Sequence, residues 1–168
     1  SLNTNISTAA DAPNPARILS NTIRVISYIV DDKVDVATLS LRMGSGGSKV
    51  DNVHAGGMSI AVENDGRLEK YAYRLGYGDS SECFDAHPDT GIQFEGYKLS
   101  FVDRLISTAK RLHEMTANIG MVSWDFTVDE NNDIVVVEVN LRGQAVWLSQ
   151  MLSVEPFYGE NTKKMLQS

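Results

Sequence analysis

The chain has 168 residues, with 15 Lys plus Arg against 22 Asp plus Glu, a net charge of −7 and one cysteine. These values suit one soluble globular domain, and the acidic balance counts against nucleic-acid binding, which needs a basic face. Cys83 has no intrachain partner, so a disulfide scaffold is excluded, and no run approaches the roughly 18 apolar residues of a membrane span.

Residues 1–19 are rich in Ser, Thr, Asn, Ala and Pro and read as an arm or linker, with the folded domain expected over 20–168. The arm has neither the basic start nor the apolar stretch of a signal peptide, and a cytoplasmic location is expected. The chain begins without methionine, so it is expected to be a piece of something longer.

Thr22–Val30 is β-branched and aromatic and predicts a strand. A turn at Asp31-Asp32-Lys33 leads to a second strand over Val34–Met43. Gly44–Lys49 (GSGGSK) reads as a flexible loop; it lacks the residue order of a P-loop. A further hairpin is expected from Gly57–Glu63, the turn Asn64-Asp65-Gly66, and Arg67–Arg74. Between Leu75 and Gly96 the period is lost, and this stretch reads as a long excursion loop holding His87-Pro88-Asp89-Thr90-Gly91.

Ser100 then caps a helix, with Asp103 in the position of a capping-box partner. Val102, Leu105, Ile106, Ala109, Leu112 and Met115 fall at helical spacing and should face a sheet. Gly120 closes the connection to a hairpin of Met121–Asp129, the turn Asn131-Asn132, and Asp133–Asn140. A short helix over Ala145–Leu152 and a final turn or two near Met165 complete the chain. Hairpins plus one long helix give an α+β class with an antiparallel sheet.

Asp125 in VSWDFTV and Glu138 in IVVVEVN each interrupt an apolar strand with a charge. If Asn131-Asn132 is a two-residue turn, opposed residue numbers sum to 263, and Asp125 lies directly opposite Glu138. Opposed residues share a face, and Asn140, two residues on, lands there too. Two facing carboxylates repel, so a cation should neutralise them; two anionic oxygens and one neutral suit a hard ion such as Mg²⁺. The alternative is a wet hairpin face on which both acids are simply solvated, and a one-residue slip would separate the faces.

These residues resemble those of the sugar-transfer associated ATP-grasp family. Asn21-Thr22-Ile23-Arg24 resembles its N-T-I-R strand, and Arg42 ends the next strand as the second family arginine does. Asp51-Asn52 followed by Gly56-Gly57 resembles D-N-x-x-x-G-G, and His87–Gly91 resembles H-P-D-T-G. Trp124-Asp125 and Glu138-Val139-Asn140 resemble W-D and E-x-N. The order runs from about Asn21 to Gln150, and glutamate-ligase and glutathione-synthetase type enzymes show a looser version of it. One departure stands out: the family's Pro-Gly after E-x-N is replaced by Leu141-Arg142-Gly143.

The resemblance implies the C-terminal lobe of an ATP-grasp unit. Its activity would be ATP- and Mg²⁺-dependent carboxylate–amine ligation through an acyl phosphate, in cell-surface polysaccharide synthesis. It implies one or two Mg²⁺ or Mn²⁺ ions held by Asp125, Glu138 and Asn140, with Arg24 and Arg42 catalytic at the transferring phosphoryl. Asn52, Glu138 and Arg142 would contact nucleotide or substrate. Implied partners are ATP, a small carboxylate or amine substrate that is sugar-linked, and the earlier lobe of the same unit. Without that lobe the isolated piece is expected to be inactive and to self-associate. His87 and His-Pro geometry are expected to shape a loop, and Trp124 and Trp147 to be core. The competing reading is a non-enzymatic metal-, nucleotide- or protein-binding module.

Overall fold

The computed structural model describes residues 21–44, 57–76, 80–116, 118–129 and 131–167. The expected arm over 1–19, most of the GSGGSK loop, Asp51, Asn52 and Gly56 lie outside the described residues.

The fold is α+β. Among the described residues eight antiparallel strands form one sheet: β1 (Thr22–Val30), β2 (Lys33–Val36), β3 (Leu39–Met43), β4 (Met58–Val62), β5 (Ala72–Arg74), β6 (Glu82–Phe84), β7 (Met121–Val128) and β8 (Ile134–Asn140). Their order is β6-β5-β4-β3-β1-β7-β8, with β2 also paired to β1. The described residues also form three α-helices: α1 (Val102–Glu114), α2 (Val146–Leu152) and α3 (Thr162–Met165). None of the described helices is long and apolar enough to cross a membrane.

β1 occupies its expected residues. Asp31 and Asp32 both have positive φ (49° and 59°), the geometry of a two-residue hairpin turn matched to strand twist. The single strand expected over Val34–Met43 is two, broken at Ala37-Thr38, where the register against β1 shifts by one residue. The strand expected over Arg67–Arg74 forms only at Ala72–Arg74, with isolated bridges from Leu68 to Val62 and from Arg67 to Lys98. Gly66 turns that corner at φ +92°, and a Cβ there would sit 2.3 Å from the Leu99 carbonyl oxygen, so only glycine fits.

The capping box does not form: Phe101 is the N-cap of α1 and no side chain caps it. The helix buries Val102, Leu105 and Ala109 as expected, but Met115 is 77% exposed and His113 takes the inward position near the end. α1 lies on one face of the sheet, over Ile23, Val25, Leu41, Ile60, Trp124 and Phe126. The opposite face carries α2, whose Leu148 and Leu152 meet Ala61, and the C-terminal segment, whose Phe157 packs with Ile26, Tyr28 and Ala37. Trp124 is core at 4% exposure, whereas Trp147 is 61% exposed, contrary to expectation. β8 is an edge strand, and its Val135, Val136, Val137 and Val139 are all exposed.

Candidate active site

Strand alternation decides which residues reach the face opposite α1. On β1, Ile23 and Val25 point to the α1 core and Arg24 to the other side; on β3, Leu41 and Met43 point to that core and Arg42 away. β7 sends Trp124 and Phe126 into the core and Asp125 outward. Arg24 pairs directly with Asp125 across β1 and β7. The three charges converge: Arg24 Nε donates to Asp125 Oδ1 at 2.8 Å and its Nη2 to Oδ2 at 2.7 Å, while Arg42 Nη1 donates to Oδ2 at 3.2 Å. The Asp125 side chain is 3% exposed and the arginines 14% and 13%. A buried carboxylate is tolerable because two guanidiniums neutralise it, one of them in the bidentate geometry that suits arginine.

Asp125 stands opposite Glu138, and Ser123 opposite Asn140. The route to this register differs from the expected one. Asp129 and Asp133 face each other across residues 130–132, not across a two-residue turn, and Asn132 takes positive φ at 64°. Asp129 Oδ1 accepts the backbone N–H groups of Asn131 and Asp133 and fixes this loop. The extra loop residue makes Phe126 pair with Val136. A β-bulge between Asp125 and Phe126 then leaves Val137 unmatched and restores the pairing of Asp125 with Glu138. Without that bulge Glu138 would point to the α1 face; the extra residue re-aims it.

The face therefore gathers Arg24, Arg42, Asp125, Glu138 and Asn140. Glu138 is exposed, and its carboxylate enters no ion pair among the described residues. Arg142 lies just past β8, exposed and outside the Arg24–Asp125–Arg42 cluster, and Asn52 lies outside the described residues. The expected cation for Asp125 is thus present as protein: two arginines occupy three of its roughly four acceptor positions. About one remains, and with the Glu138 carboxylate and the Asn140 amide oxygen it makes a hard, all-oxygen donor set that fits Mg²⁺. No group of three His, Cys, Asp or Glu side chains able to hold a metal occurs among the described residues, so such a site depends on the amide.

Three residues that sequence reasoning passed over share this face. Ser40 and Ser59 alternate with core residues on β3 and β4, and Ser123 does so on β7. Ser59 and Ser123 are 2% and 0% exposed, and among the described residues their hydroxyl oxygens have no hydrogen-bond partner; neither does Arg42 Nε. The sequence signal was a serine at one outward position of each of these strands. His87 is also placed: 2% exposed, it meets the Gly44 carbonyl through Nε2 at 3.1 Å and accepts the Asp89 N–H at Nδ1, tying the HPDTG loop to the end of β3. That is a loop-shaping role.

A cavity of about 530 Å³ opens on the same face, between residues 153–161 and the sheet. It is lined by Asp35, Glu63, Glu69, Glu155 and Glu160, and by none of the arginines or of Asp125, Glu138 and Asn140. The converging charges, not the volume, mark the chemistry. Asp35 on its rim is partly buried, which alone would raise its pKa; the Lys110 ammonium bond, the Val36 N–H and Asn161 outweigh this and hold it below the usual range.

A family model described as sugar-transfer associated ATP-grasp matches residues 14–164. No curated protein and no solved structure matches the chain.

Proposed function

Because the chain belongs to the sugar-transfer associated ATP-grasp family, we propose that it supplies the later part of an ATP-dependent carboxylate–amine ligase in sugar-related, cell-surface polysaccharide synthesis. The observation that carries this reading is the polar sheet face: Arg24, Arg42 and Asp125 locked together beside Glu138 and Asn140.

In the proposed reaction an acid's carboxylate oxygen attacks the γ-phosphorus, ADP leaves, and an amine nitrogen displaces the phosphate from the acyl carbon. Glu138, Asn140 and the remaining Asp125 position would hold Mg²⁺, which supplies charge neutralisation across the nucleotide phosphates. Arg42 faces the oxygens on which negative charge gathers. Its guanidinium stays charged throughout and donates from fixed positions, so little reorganisation is needed as the reaction proceeds. Arg24 holds Asp125 in its orientation by a two-point contact. By the same resemblance Asn52 and Arg142 contact nucleotide or substrate. An earlier lobe closing over this face would complete the nucleotide clamp and exclude water.

Calorimetry of the intact protein with Mg-ATP tests the reading. Glu138→Gln keeps the shape and removes the charge, and it should weaken Mg-nucleotide binding and ATP turnover by at least tenfold. Unchanged binding and turnover would contradict the assignment.

A further inference from the structure

We infer that Ser59 and Arg42 together seat an oxyanion on this face, and that Arg24 is a positioning residue for Asp125. The two arginines are not equivalent. Arg24 commits both Nε and Nη2 to Asp125, whereas Arg42 commits Nη1 and leaves its buried Nε without an acceptor. Ser59 is the direct cross-strand partner of Arg42, so their β-carbons are about 5 Å apart on one face. The Ser59 hydroxyl is also buried and unpartnered.

Buried donors are almost always satisfied, and two adjacent exceptions on one face need a partner that the described residues do not provide. A cation does not fit, because the Arg42 Nε–H is a donor with no lone pair to offer it. A ligand with two or more acceptor oxygens does: it would take the Arg42 Nε–H and the Ser59 O–H together. Phosphoryl and carboxylate groups share that chemistry. This deepens the ligase reading and rests on it only for which group arrives.

The experiment is calorimetric titration of the chain with inorganic phosphate and, separately, with acetate, without nucleotide or metal, alongside melting temperatures. Saturable binding of either is expected. Tighter phosphate places the transferring phosphoryl at the seat; tighter acetate places the acceptor acid there. Ser59→Ala should weaken binding about tenfold, as loss of a bond to a charged group does, and Ser59→Thr should restore it. The melting temperature of unliganded Ser59→Ala should be unchanged or higher, because an unsatisfied hydroxyl has been removed. Arg42→Lys keeps the charge, loses the Nε–H, and should weaken binding by more than tenfold. Absence of binding by both anions, wild-type affinity in Ser59→Ala, or a melting temperature lowered by several degrees in that variant would each overturn the proposal. Phosphate binding that persists in a protein unable to turn over Mg-ATP would leave the seat standing and remove the ligase.

Discussion

The two faces of the sheet treat buried polar groups in opposite ways. On the α1 face, Ser27 is wholly buried, yet its hydroxyl oxygen accepts the Trp124 Nε1–H at 2.7 Å and meets His113 Nδ1 at 2.7 Å. The far ring nitrogen of His113 donates to the Ile119 carbonyl at 2.8 Å. This chain joins β1, β7 and α1, and each of its side chains is partnered. On the other face, Ser59, Ser123 and Arg42 Nε have no partner among the described residues, around a compensated charge cluster. The first face serves folding, and the second is the face to which the proposed function assigns a ligand.

Substitutions probe that contrast directly. Asp125→Ala should have the largest effect: it leaves two mostly buried guanidiniums facing each other, at a cost of roughly 3 kcal/mol in urea unfolding. Ser27→Ala should cost about 2 kcal/mol in the same assay, because it strips the Trp124 and His113 nitrogens of their shared partner. A loss under about 0.5 kcal/mol would show the chain on the α1 face to be idle.

A smaller, pH-dependent effect concerns Asp35, which ties the faces together at β2 by bonding Lys110 of α1 and Asn161 of the C-terminal segment. Its folded pKa lies below the unfolded value of 3.8, so its contribution is present above that pH and is lost as pH falls through the folded pKa. Asp35→Asn should therefore lower stability near neutral pH and flatten the decline below about pH 4, as read from melting temperature against pH. The smallest effect belongs to Ser123→Ala. Unfolding free energy should stay within about 0.5 kcal/mol of wild type or rise, since no hydrogen bond is lost. A loss matching that of Ser27→Ala would erase the distinction between the faces.

Much of this was legible in the sequence, and the failures have physical causes. β1 and the edges of the β7–β8 hairpin could be read because β-branched runs are bounded by Asp, Asn and Gly. The pairing of Asp125 with Glu138 was read correctly from a wrong turn: the loop has one residue more than expected, and the bulge at Val137 absorbs one. Neither has a local signature in a run of valines. The capping box failed because Phe101, buried in the α1 core, sets the start of the helix instead. Arg24, Arg42 and Asp125 stood out as charges in apolar strands, but their mutual pairing joins residues about a hundred positions apart and depends on strand order. Ser59 and Ser123 could not be told from Ser27, because a serine in a strand does not announce whether its hydroxyl will find a partner.

The claim that one face serves a ligand is tested most directly by titrating the isotopically labelled chain with Mg-ADP and following backbone and arginine Nε resonances. Shifts should concentrate at Arg42, Ser59, Asp125, Glu138 and Asn140, with Ser27 and His113 unmoved. No saturable shift, or shifts centred on Ser27 and α1, would contradict it.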